Sequence, residues 1–304
     1  MKKAAVILKG VSVLSILFLL VIYTGCSTKN GNDTKSVSIG SKHFTEQEIL
    51  AEIMAILIEE NSDIKVVRRF NLGGTMVCFS ALKTGELDLY AEYTGTGLVN
   101  ILKMKAVNDP DKVYRTVKDI FAEKYDLTWL KPFGFNNTYT LTMRKADAEA
   151  SGIRKISDLI PYKDKLLPGF DAEFMQRPDG YPGLRKHYGF EFGKKPRQMD
   201  PGLMYKALKE KGVDIIDGFS TDGRIPAYNF VTLQDDKNFF PPYYATPLVR
   251  NETLSRYPEI REILNRLSGR IGTEEIRKLN YMVDKEEKRP SAVAKEFLKS
   301  KGLI

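Results

Sequence analysis

LDLYAEYTGTG (Leu87–Gly97) contains an alternating apolar strand that ends at Tyr93 and continues into Thr94-Gly95-Thr96. Alternation of this kind is typical of a strand that buries one face on a sheet. Small residues after the strand leave an aromatic side chain and several backbone N–H groups at the sheet edge. Tyr90, an odd number of residues from Tyr93, is expected on the opposite face. The stretch therefore predicts a binding edge that includes Tyr93.

Strand-like and helix-like segments alternate before this stretch. Val37–Gly40 and Lys65–Phe70 are predicted strands, and between them apolar residues recur at helical spacing from Ile49 to Ile58. Thr45 precedes Glu48 by three residues, the spacing of a capping box at the start of that helix. Such alternation predicts an α/β fold with mixed sheets flanked by helices, where ligands lie beyond the carboxyl ends of the strands.

Gly73-Gly74-Thr75 opens a second predicted helix, which runs through Leu82 and ends at Gly85. Glycines before a helix also occur in phosphate-binding loops, but this run lacks the GK[ST] ending. A tight entry into the helix is the favoured interpretation.

The second half of the chain repeats the α/β pattern. Predicted strands are Thr138–Met143, Val213–Phe219 and, after Pro241-Pro242, Thr246–Arg250. Predicted helices or helical turns are Ile156–Leu159, Gly183–Tyr188, Leu203–Lys209, Ile260–Leu267, Thr273–Met282 and Ala292–Lys299. We expect residues 37–136 with 245–304 to form lobe 1 and residues 137–244 to form lobe 2. A chain that crosses twice between lobes forms a hinge around a cleft that can close.

The amino terminus has the pattern of a secretory signal in residues 1–26. Lys2 and Lys3 precede an uncharged run, Val11 to Ile22, which is shorter than the roughly 20 residues of a membrane-spanning helix. Because small residues lead directly into Cys26, the segment resembles a bacterial lipoprotein signal, although Tyr23 stands where an aliphatic residue is usual. We expect Cys26 to be lipidated, with a plain secreted form as the alternative. Polar residues 27–36 are predicted to be a tether.

Composition excludes several classes of protein. Loss of Lys2, Lys3 and Lys9 with the leader lowers the formal charge of the 304-residue chain from +8 to +5, and the excess is dispersed, so no nucleic-acid surface is expected. With Cys26 lipidated, Cys78 has no partner for a disulfide, and its apolar surroundings predict a buried residue rather than a nucleophile.

Enzyme signatures are weak in this sequence. The two histidines, His43 and His187, lack metal-ligand spacing, and no GxSxG elbow surrounds any serine. Asp214 and Asp217 have no partner histidine and are predicted to be structural. We therefore expect no catalytic residue, no metal and no cofactor.

Seven runs together carry a resemblance to one family. They are GSKHFTEQ (Gly40–Gln47), NLGGT (Asn71–Thr75), ALKTGELDLYAEYTGTG (Ala81–Gly97), FGFNNTY (Phe133–Tyr139), QRPDGYPGL (Gln176–Leu184), FSTDGRI (Phe219–Ile225) and FFPPY (Phe239–Tyr243). In order and spacing they resemble the substrate-binding lipoproteins of osmoprotectant ABC importers, the glycine betaine, carnitine and choline binders of the OpuC, OpuB and ProX type. The resemblance implies a two-lobed periplasmic-binding-protein fold of type II, with a cleft between the lobes.

The resemblance also implies a set of ligand-binding residues. An aromatic cage for a trimethylammonium group falls on Tyr93, Tyr139, Phe219 and Tyr243, with Asn137 beside it. The carboxylate end of a ligand falls on Lys42, Thr96 and Arg177, with Gln47 near the same loop. Phe219 departs from the usual tyrosine, so the ring remains but the phenol oxygen is lost.

The chemistry of these side chains agrees with that assignment. A quaternary ammonium has no N–H donor, but aromatic faces attract it by roughly 0.5 to 2 kcal/mol each. Arg177 offers a planar fork for a carboxylate, and Lys42 offers a point charge. Other interpretations stay open: Phe219 as a core residue, Arg177 paired with Asp179, and Lys42 as a solvated loop charge.

The resulting prediction is a lipid-anchored, monomeric receptor on the outer face of the cell membrane. It would bind a quaternary-ammonium osmoprotectant and deliver it to an ABC permease driven by a cytoplasmic ATPase. Two alternatives remain: a binding protein of the same fold for an amino acid or a bile-related compound, and an extracytoplasmic enzyme acting on a trimethylammonium compound.

Overall fold

Two five-stranded mixed sheets form the centres of two lobes in the computed structural model, which describes residues 35–304. The predicted signal peptide, Cys26 and residues 27–34 of the predicted tether lie outside the described residues. Ser36, assigned to the tether from sequence, is instead the first residue of a strand.

The first sheet has the strand order β2-β1-β3-β10-β4. Its strands are β1 (Ser36–Gly40), β2 (Lys65–Arg69), β3 (Leu89–Tyr93), β4 (Leu127–Trp129) and β10 (Ala245–Arg250). Around it lie α1 (Thr45–Asn61), α2 (Thr75–Thr84), a π-helix (Thr96–Ile101), α3 (Pro110–Tyr125), α9 (Asn251–Arg256), α10 (Glu259–Asn265), α11 (Thr273–Asp284) and α12 (Pro290–Ser300). Strand β3 pairs in parallel with β1 and antiparallel with β10, so β10 returns the chain to the first sheet.

The second sheet has the order β7-β6-β8-β5-β9. Its strands are β5 (Tyr139–Arg144), β6 (Pro168–Asp171), β7 (Arg197–Met199), β8 (Ile215–Phe219) and β9 (Phe230–Thr232). Its helices are α4 (Lys145–Ser151), a 3-10 helix (Ile156–Tyr162), α5 (Ala172–Gln176), α6 (Tyr181–Tyr188), α7 (Pro201–Lys209) and α8 (Arg224–Ala227).

The chain crosses between the two sheets twice, once between β4 and β5 and once between β9 and β10. The two crossing segments run side by side, because Asn136 and Tyr244 form an antiparallel bridge and the Asn137 N–H donates to the Tyr243 carbonyl at 3.0 Å. Two adjacent crossings of this kind are the arrangement expected of a hinge.

Helix α1 confirms the predicted helix, but it is buried on nearly every side rather than on one face, because all residues from Ile49 to Ile58 except Glu52 are buried. The predicted capping box is wrong. Phe44 is the residue before the helix, and the Thr45 hydroxyl donates instead to Asp284 Oδ1 on α11 at 2.5 Å. The Thr45 hydroxyl therefore bonds to a residue distant in sequence and does not cap its own helix.

Helix α2 confirms the predicted entry after Gly74 and the predicted end at Gly85, which adopts a left-handed conformation with φ of 83°. Cys78 on this helix is fully buried, as predicted, and burial raises the pKa of its thiol to about 12. No helix within residues 35–304 is both long and apolar enough to cross a membrane.

Candidate functional site

A cavity of about 40 Å³ lies between the lobes, and eight of the nine residues predicted to bind ligand line it. These eight are Lys42, Tyr93, Thr96, Asn137, Tyr139, Arg177, Phe219 and Tyr243. Tyr93 and Phe219 are the last residues of β3 and β8, so the carboxyl ends of strands from both sheets meet here. The ninth residue, Gln47, is buried on α1 and accepts a hydrogen bond from the Lys42 N–H at 3.3 Å, so it supports the loop.

Aromatic rings from both lobes form one wall of the cavity. The Tyr139 ring centre lies 5.5 Å from that of Phe219 and 5.8 Å from that of Tyr243, which is perpendicular to it. Phe44, which the sequence analysis did not single out, lies 5.4 Å from Phe219 with nearly parallel planes and 6.4 Å from Tyr93. Phe44 thus connects Tyr93 of lobe 1 to Phe219 of lobe 2.

Two of the tyrosines are held by hydrogen bonds from their phenol groups. The Tyr93 hydroxyl donates to Glu46 Oε1 at 2.7 Å, and the Tyr243 hydroxyl donates to Asp179 Oδ2 at 2.7 Å. Phe219 has no hydroxyl and is positioned through its backbone N–H, which donates to the Tyr205 hydroxyl at 2.9 Å. The rings therefore present fixed faces to the cavity.

Arg177 pairs with Asp179, as the alternative interpretation stated. Its Nε and Nη2 atoms donate to the two Asp179 oxygens at 2.9 and 2.6 Å, and both side chains are buried. Nη2 also donates to Thr96 Oγ1 at 3.1 Å, which joins lobe 2 to the start of the π-helix. The guanidinium carbon lies 5.3 Å from the Tyr139 ring centre.

Lys42 is buried, so its interpretation as a solvated loop charge is wrong. Its Nζ atom donates to Glu92 Oε1 at 2.6 Å and lies 5.3 Å from the Tyr93 ring centre. Tyr90 donates to the other Glu92 oxygen at 2.9 Å and is buried in a separate apolar cluster, on the face opposite Tyr93 as predicted. Both basic residues of the site therefore already have acidic partners.

Glu46, in the first turn of α1, connects the lobes behind the aromatic wall. Its Oε1 accepts from Tyr93 and from Asn137 Nδ2 at 2.8 Å. Its Oε2 accepts from Thr221 Oγ1 at 2.5 Å and from Asn280 Nδ2 at 3.1 Å. Burial raises the pKa of this carboxyl although all four hydrogen bonds oppose the rise. The sequence offered no signal for it, because acidic residues are common in the first turn of any helix.

Glu173 is a second acidic residue that the sequence analysis missed. The Thr75 hydroxyl donates to its Oε2 at 2.9 Å, and the Thr75 N–H donates to its Oε1. Burial alone would raise the pKa of Glu173, but the charges of Lys42 and Arg177 and the bonds from Thr75 lower it below its usual value. Thr75 begins α2 of lobe 1, so Glu173 joins the lobes as an ionised carboxylate.

Asp214 and Asp217, both predicted to be structural, have different surroundings. Asp214 accepts from Arg144 Nη2 at 3.0 Å and from the Leu167 N–H at 2.9 Å, which confirms the structural role. Asp217 is fully buried, and its Oδ1 accepts from the Asp171 N–H at 2.9 Å. Burial and the neighbouring Asp171 carboxyl raise the pKa of Asp217 well above its ordinary value. Asp171 itself lines the cavity.

No group of three or more acidic, histidine or cysteine side chains within residues 35–304 is arranged to hold a metal ion. The residues that line the cavity offer aromatic faces, buried ion pairs and hydrogen bonds. Aromatic faces of this kind can attract a small cation.

Comparison with known proteins places this chain in a family. Residues 35–300 match the model of the substrate binding domain of ABC-type glycine betaine transport systems. The chain is 41% identical to the carnitine transport binding protein OpuCC of Listeria monocytogenes over 95% of its own length and 96% of that protein.

Two further relatives extend the comparison. The chain is 38% identical to the ergothioneine transport permease/ergothioneine binding protein EgtU of Helicobacter pylori, covering 90% of this chain and 49% of that protein. A crystal structure of a glycine betaine/carnitine/choline ABC transporter protein superposes with a TM-score of 0.72 at 38% identity, covering 88% of this chain and 99% of the other. The chain belongs to the family of substrate-binding domains of ABC-type glycine betaine transport systems.

Proposed function

We propose that this protein is the extracytoplasmic receptor of an ABC importer and binds quaternary-ammonium osmoprotectants such as glycine betaine, carnitine and choline. The observation that carries the proposal is the aromatic wall of one cavity. Its rings, from Phe44, Tyr93, Tyr139, Phe219 and Tyr243, come from both lobes and from the crossing segment.

A trimethylammonium group suits this wall because it spreads a positive charge over methyl groups that cannot donate conventional hydrogen bonds. Each aromatic face supplies about 0.5 to 2 kcal/mol of attraction, depending on desolvation. Several faces together provide a large part of the roughly 8 kcal/mol that corresponds to micromolar affinity. A primary ammonium would lose its hydrogen bonds to water on entering the same enclosure.

The polar end of the ligand is assigned to Lys42, Thr96, Arg177 and Asn137, with Gln47 supporting the loop. In the structure Lys42 already forms an ion pair with Glu92, and Arg177 forms one with Asp179. A ligand carboxylate must therefore share these cations with buried acids, whereas a ligand cation meets acidic residues near the cavity. The cavity consequently favours the ammonium end over the carboxylate end.

Binding is coupled to closure of the two lobes in this proposal. Residues 37–136 with 245–304 form lobe 1, residues 137–244 form lobe 2, and the paired crossing segments act as the hinge. The sheet membership of the strands supports these boundaries. Closing brings Phe44 of lobe 1 against Phe219 of lobe 2 and buries the ligand, and opening lets the ligand enter and leave.

The remaining parts of the proposal concern partners and location. The receptor works as a monomer, passes its solute to a permease with a cytoplasmic ATPase, and is held at the outer membrane face through a lipid on Cys26. Support comes from the family and from the leader sequence. Mass spectrometry of protein from a bacterial membrane fraction tests the anchor: a diacylglyceryl modification on Cys26 supports it, and an unmodified mature terminus contradicts it.

Choline and ethanolamine form a matched pair for the test of ligand class, because they differ only in the three N-methyl groups. We expect choline to bind about tenfold or more tightly than ethanolamine in calorimetric titrations. An amino-acid receptor would show the opposite preference for primary over quaternary ammonium compounds. Ergothioneine and bile-related compounds should be titrated in the same calorimetric experiments.

Catalysis is not part of the proposed function. Incubation of purified protein with choline, carnitine and glycine betaine, followed by mass spectrometry, should return each compound unchanged. Formation of a product by the wild type and not by a Tyr139→Leu variant would favour an enzyme instead.

A further inference from the structure

Three polar atoms on residues that line the cavity have no hydrogen-bond partner among residues 35–304. They are Asp171 Oδ2, His43 Nδ1 and Asn137 Oδ1. Buried polar atoms are almost always hydrogen-bonded in folded proteins, and leaving one unpaired is costly. A ligand that carries a hydrogen-bond donor can satisfy such an atom, whereas glycine betaine has no donor at all.

Asp171 has the strongest acceptor of the three. It is the last residue of β6 and precedes α5, and its Oδ1 accepts from the N–H groups of Glu173 and Phe174 at 2.6 and 3.0 Å. Its Oδ2 accepts no hydrogen bond from the N–H groups at the start of α5. Only 4% of the residue is exposed, so bulk water has little access to it.

Asp217 is the acidic neighbour of Asp171. Its Oδ1 accepts from the Asp171 N–H at 2.9 Å, and its Oδ2 has no hydrogen-bond partner among residues 35–304. Burial and the neighbouring Asp171 carboxyl raise the pKa of Asp217. Because a carboxylate oxygen has two lone pairs, Asp171 Oδ2 can accept a hydrogen bond from a donor on a ligand.

The position of Asp171 relates it to the aromatic wall. Strand β6 pairs in parallel with β8, whose last residue is Phe219, and Asp171 lines the same cavity as Phe219 and Tyr139. Asp171 and the aromatic wall therefore border the same cavity.

We propose that Asp171 is a specificity-determining residue that accepts a hydrogen bond from a donor group, such as a hydroxyl, on the quaternary-ammonium solute. The proposal rests on the function proposed above and narrows the ligand class. Carnitine and choline each carry a hydroxyl two carbons from the nitrogen, and glycine betaine carries none. The cavity thereby favours hydroxylated quaternary amines over glycine betaine.

L-carnitine and γ-butyrobetaine provide a direct test, because γ-butyrobetaine is carnitine without its hydroxyl. Both have the same charges, so the ratio of their dissociation constants isolates the hydrogen bond. We expect the wild type to bind carnitine about tenfold more tightly, the range typical of a hydrogen bond to a charged group.

Asp171→Ser is the informative variant. A serine at the residue before a helix still accepts from the helix N–H groups, but it lacks the second carboxylate oxygen. We expect the carnitine preference to fall to within about threefold in Asp171→Ser, as the charged acceptor is lost. Asp217→Asn is the control: its side-chain oxygen can still accept from the Asp171 N–H, and Asp171 keeps its own carboxyl group, so the variant should keep the wild-type ratio.

Equal affinity of the wild type for the two zwitterions would overturn the inference while leaving the proposed function intact, since water would then satisfy Asp171. An unchanged carnitine preference in a folded Asp171→Ser variant would overturn it as well. The wild-type ratio tests the inference even if the variant fails to fold. If the wild type binds neither compound nor choline, the proposed function falls and this inference falls with it.

Discussion

The Thr75 hydroxyl donates to Glu173 Oε2 across the cleft at 2.9 Å, and the Thr75 N–H donates to the other oxygen of the same carboxylate. Thr75 begins α2 of lobe 1, and Glu173 lies on α5 of lobe 2. Gly74 permits this approach, because a side-chain carbon at that position would overlap the Glu173 carboxylate. These two hydrogen bonds stabilise the closed arrangement of the lobes without a ligand.

Replacing Glu173 by alanine should shift the ligand-free protein toward an open arrangement. The variant loses the acceptor for two groups of Thr75, which we expect to weaken closure by about 1–3 kcal/mol. Small-angle X-ray scattering of the ligand-free variant should give a larger radius of gyration than the wild type. Glu149→Ala changes an exposed side chain on helix α4, so this control variant should scatter like the wild type. Identical scattering from Glu173→Ala and the wild type would contradict the claim that Glu173 stabilises the closed arrangement.

Glu46→Gln should destabilise the fold, because the Glu46 carboxylate accepts four hydrogen bonds. The NH2 group of a glutamine would face two of these hydrogen-bond donors instead of accepting from them. We expect a loss of about 1–3 kcal/mol in the free energy of unfolding, measured by urea denaturation. Glu48→Gln lies two residues away on the same helix and should change stability by less than about 0.5 kcal/mol. Equal stability of the two variants would show that the hydrogen bonds of Glu46 contribute little.

Asp217 makes stability depend on pH. Burial raises the pKa of Asp217 in the folded protein, so the folded state holds its proton to a higher pH than the unfolded chain does. Its contribution is fully present below the unfolded pKa, about 3.9, and is lost as the pH rises through the folded pKa. An asparagine side chain cannot titrate, so Asp217→Asn should gain stability relative to the wild type with increasing pH.

Unfolding free energies of the wild type and Asp217→Asn, measured from about pH 4 to about pH 8, test this dependence. Glu46 also has a raised pKa, so part of the decline should remain in the variant. If the difference in unfolding free energy between the wild type and Asp217→Asn were the same at every pH in this range, the protonation of Asp217 would not change on unfolding.

Phe44→Leu should weaken binding of choline by roughly fivefold, because one aromatic face is lost while the apolar volume is largely kept. Phe44 is partly exposed, so the fold should survive the change. Phe70→Leu replaces another partly exposed phenylalanine, away from the cavity lining, and serves as the control. Calorimetric titration of both variants measures the effect, and equal affinities would remove Phe44 from the site.

The main strands and helices that position the site follow from the sequence, because their apolar residues recur at helical or alternating spacing. Helix α1 and strand β3 are examples, although the structure buries both on nearly all sides rather than on one face. The short strands β4, β6, β7 and β9 were not predicted, since three or four residues are too few to show alternation. Their placement depends on pairing with distant strands.

The aromatic and basic residues of the site could be predicted because the family resemblance fixes them on recognisable runs. Their acidic partners could not, apart from Asp179, which follows Arg177 closely. Glu46 and Glu173 each bond across the cleft to residues distant in sequence, Thr221 and Thr75. Phe44 looked like an ordinary loop residue because its stacking partner Phe219 lies in the other lobe.

Isothermal titration calorimetry of the wild-type protein with choline, L-carnitine and glycine betaine tests the central claim most directly. We predict a one-to-one complex with at least one of them at a dissociation constant of about 100 μM or lower. Dissociation constants weaker than about 1 mM, or roughly 4 kcal/mol, for all three would contradict the assignment of a quaternary-ammonium receptor.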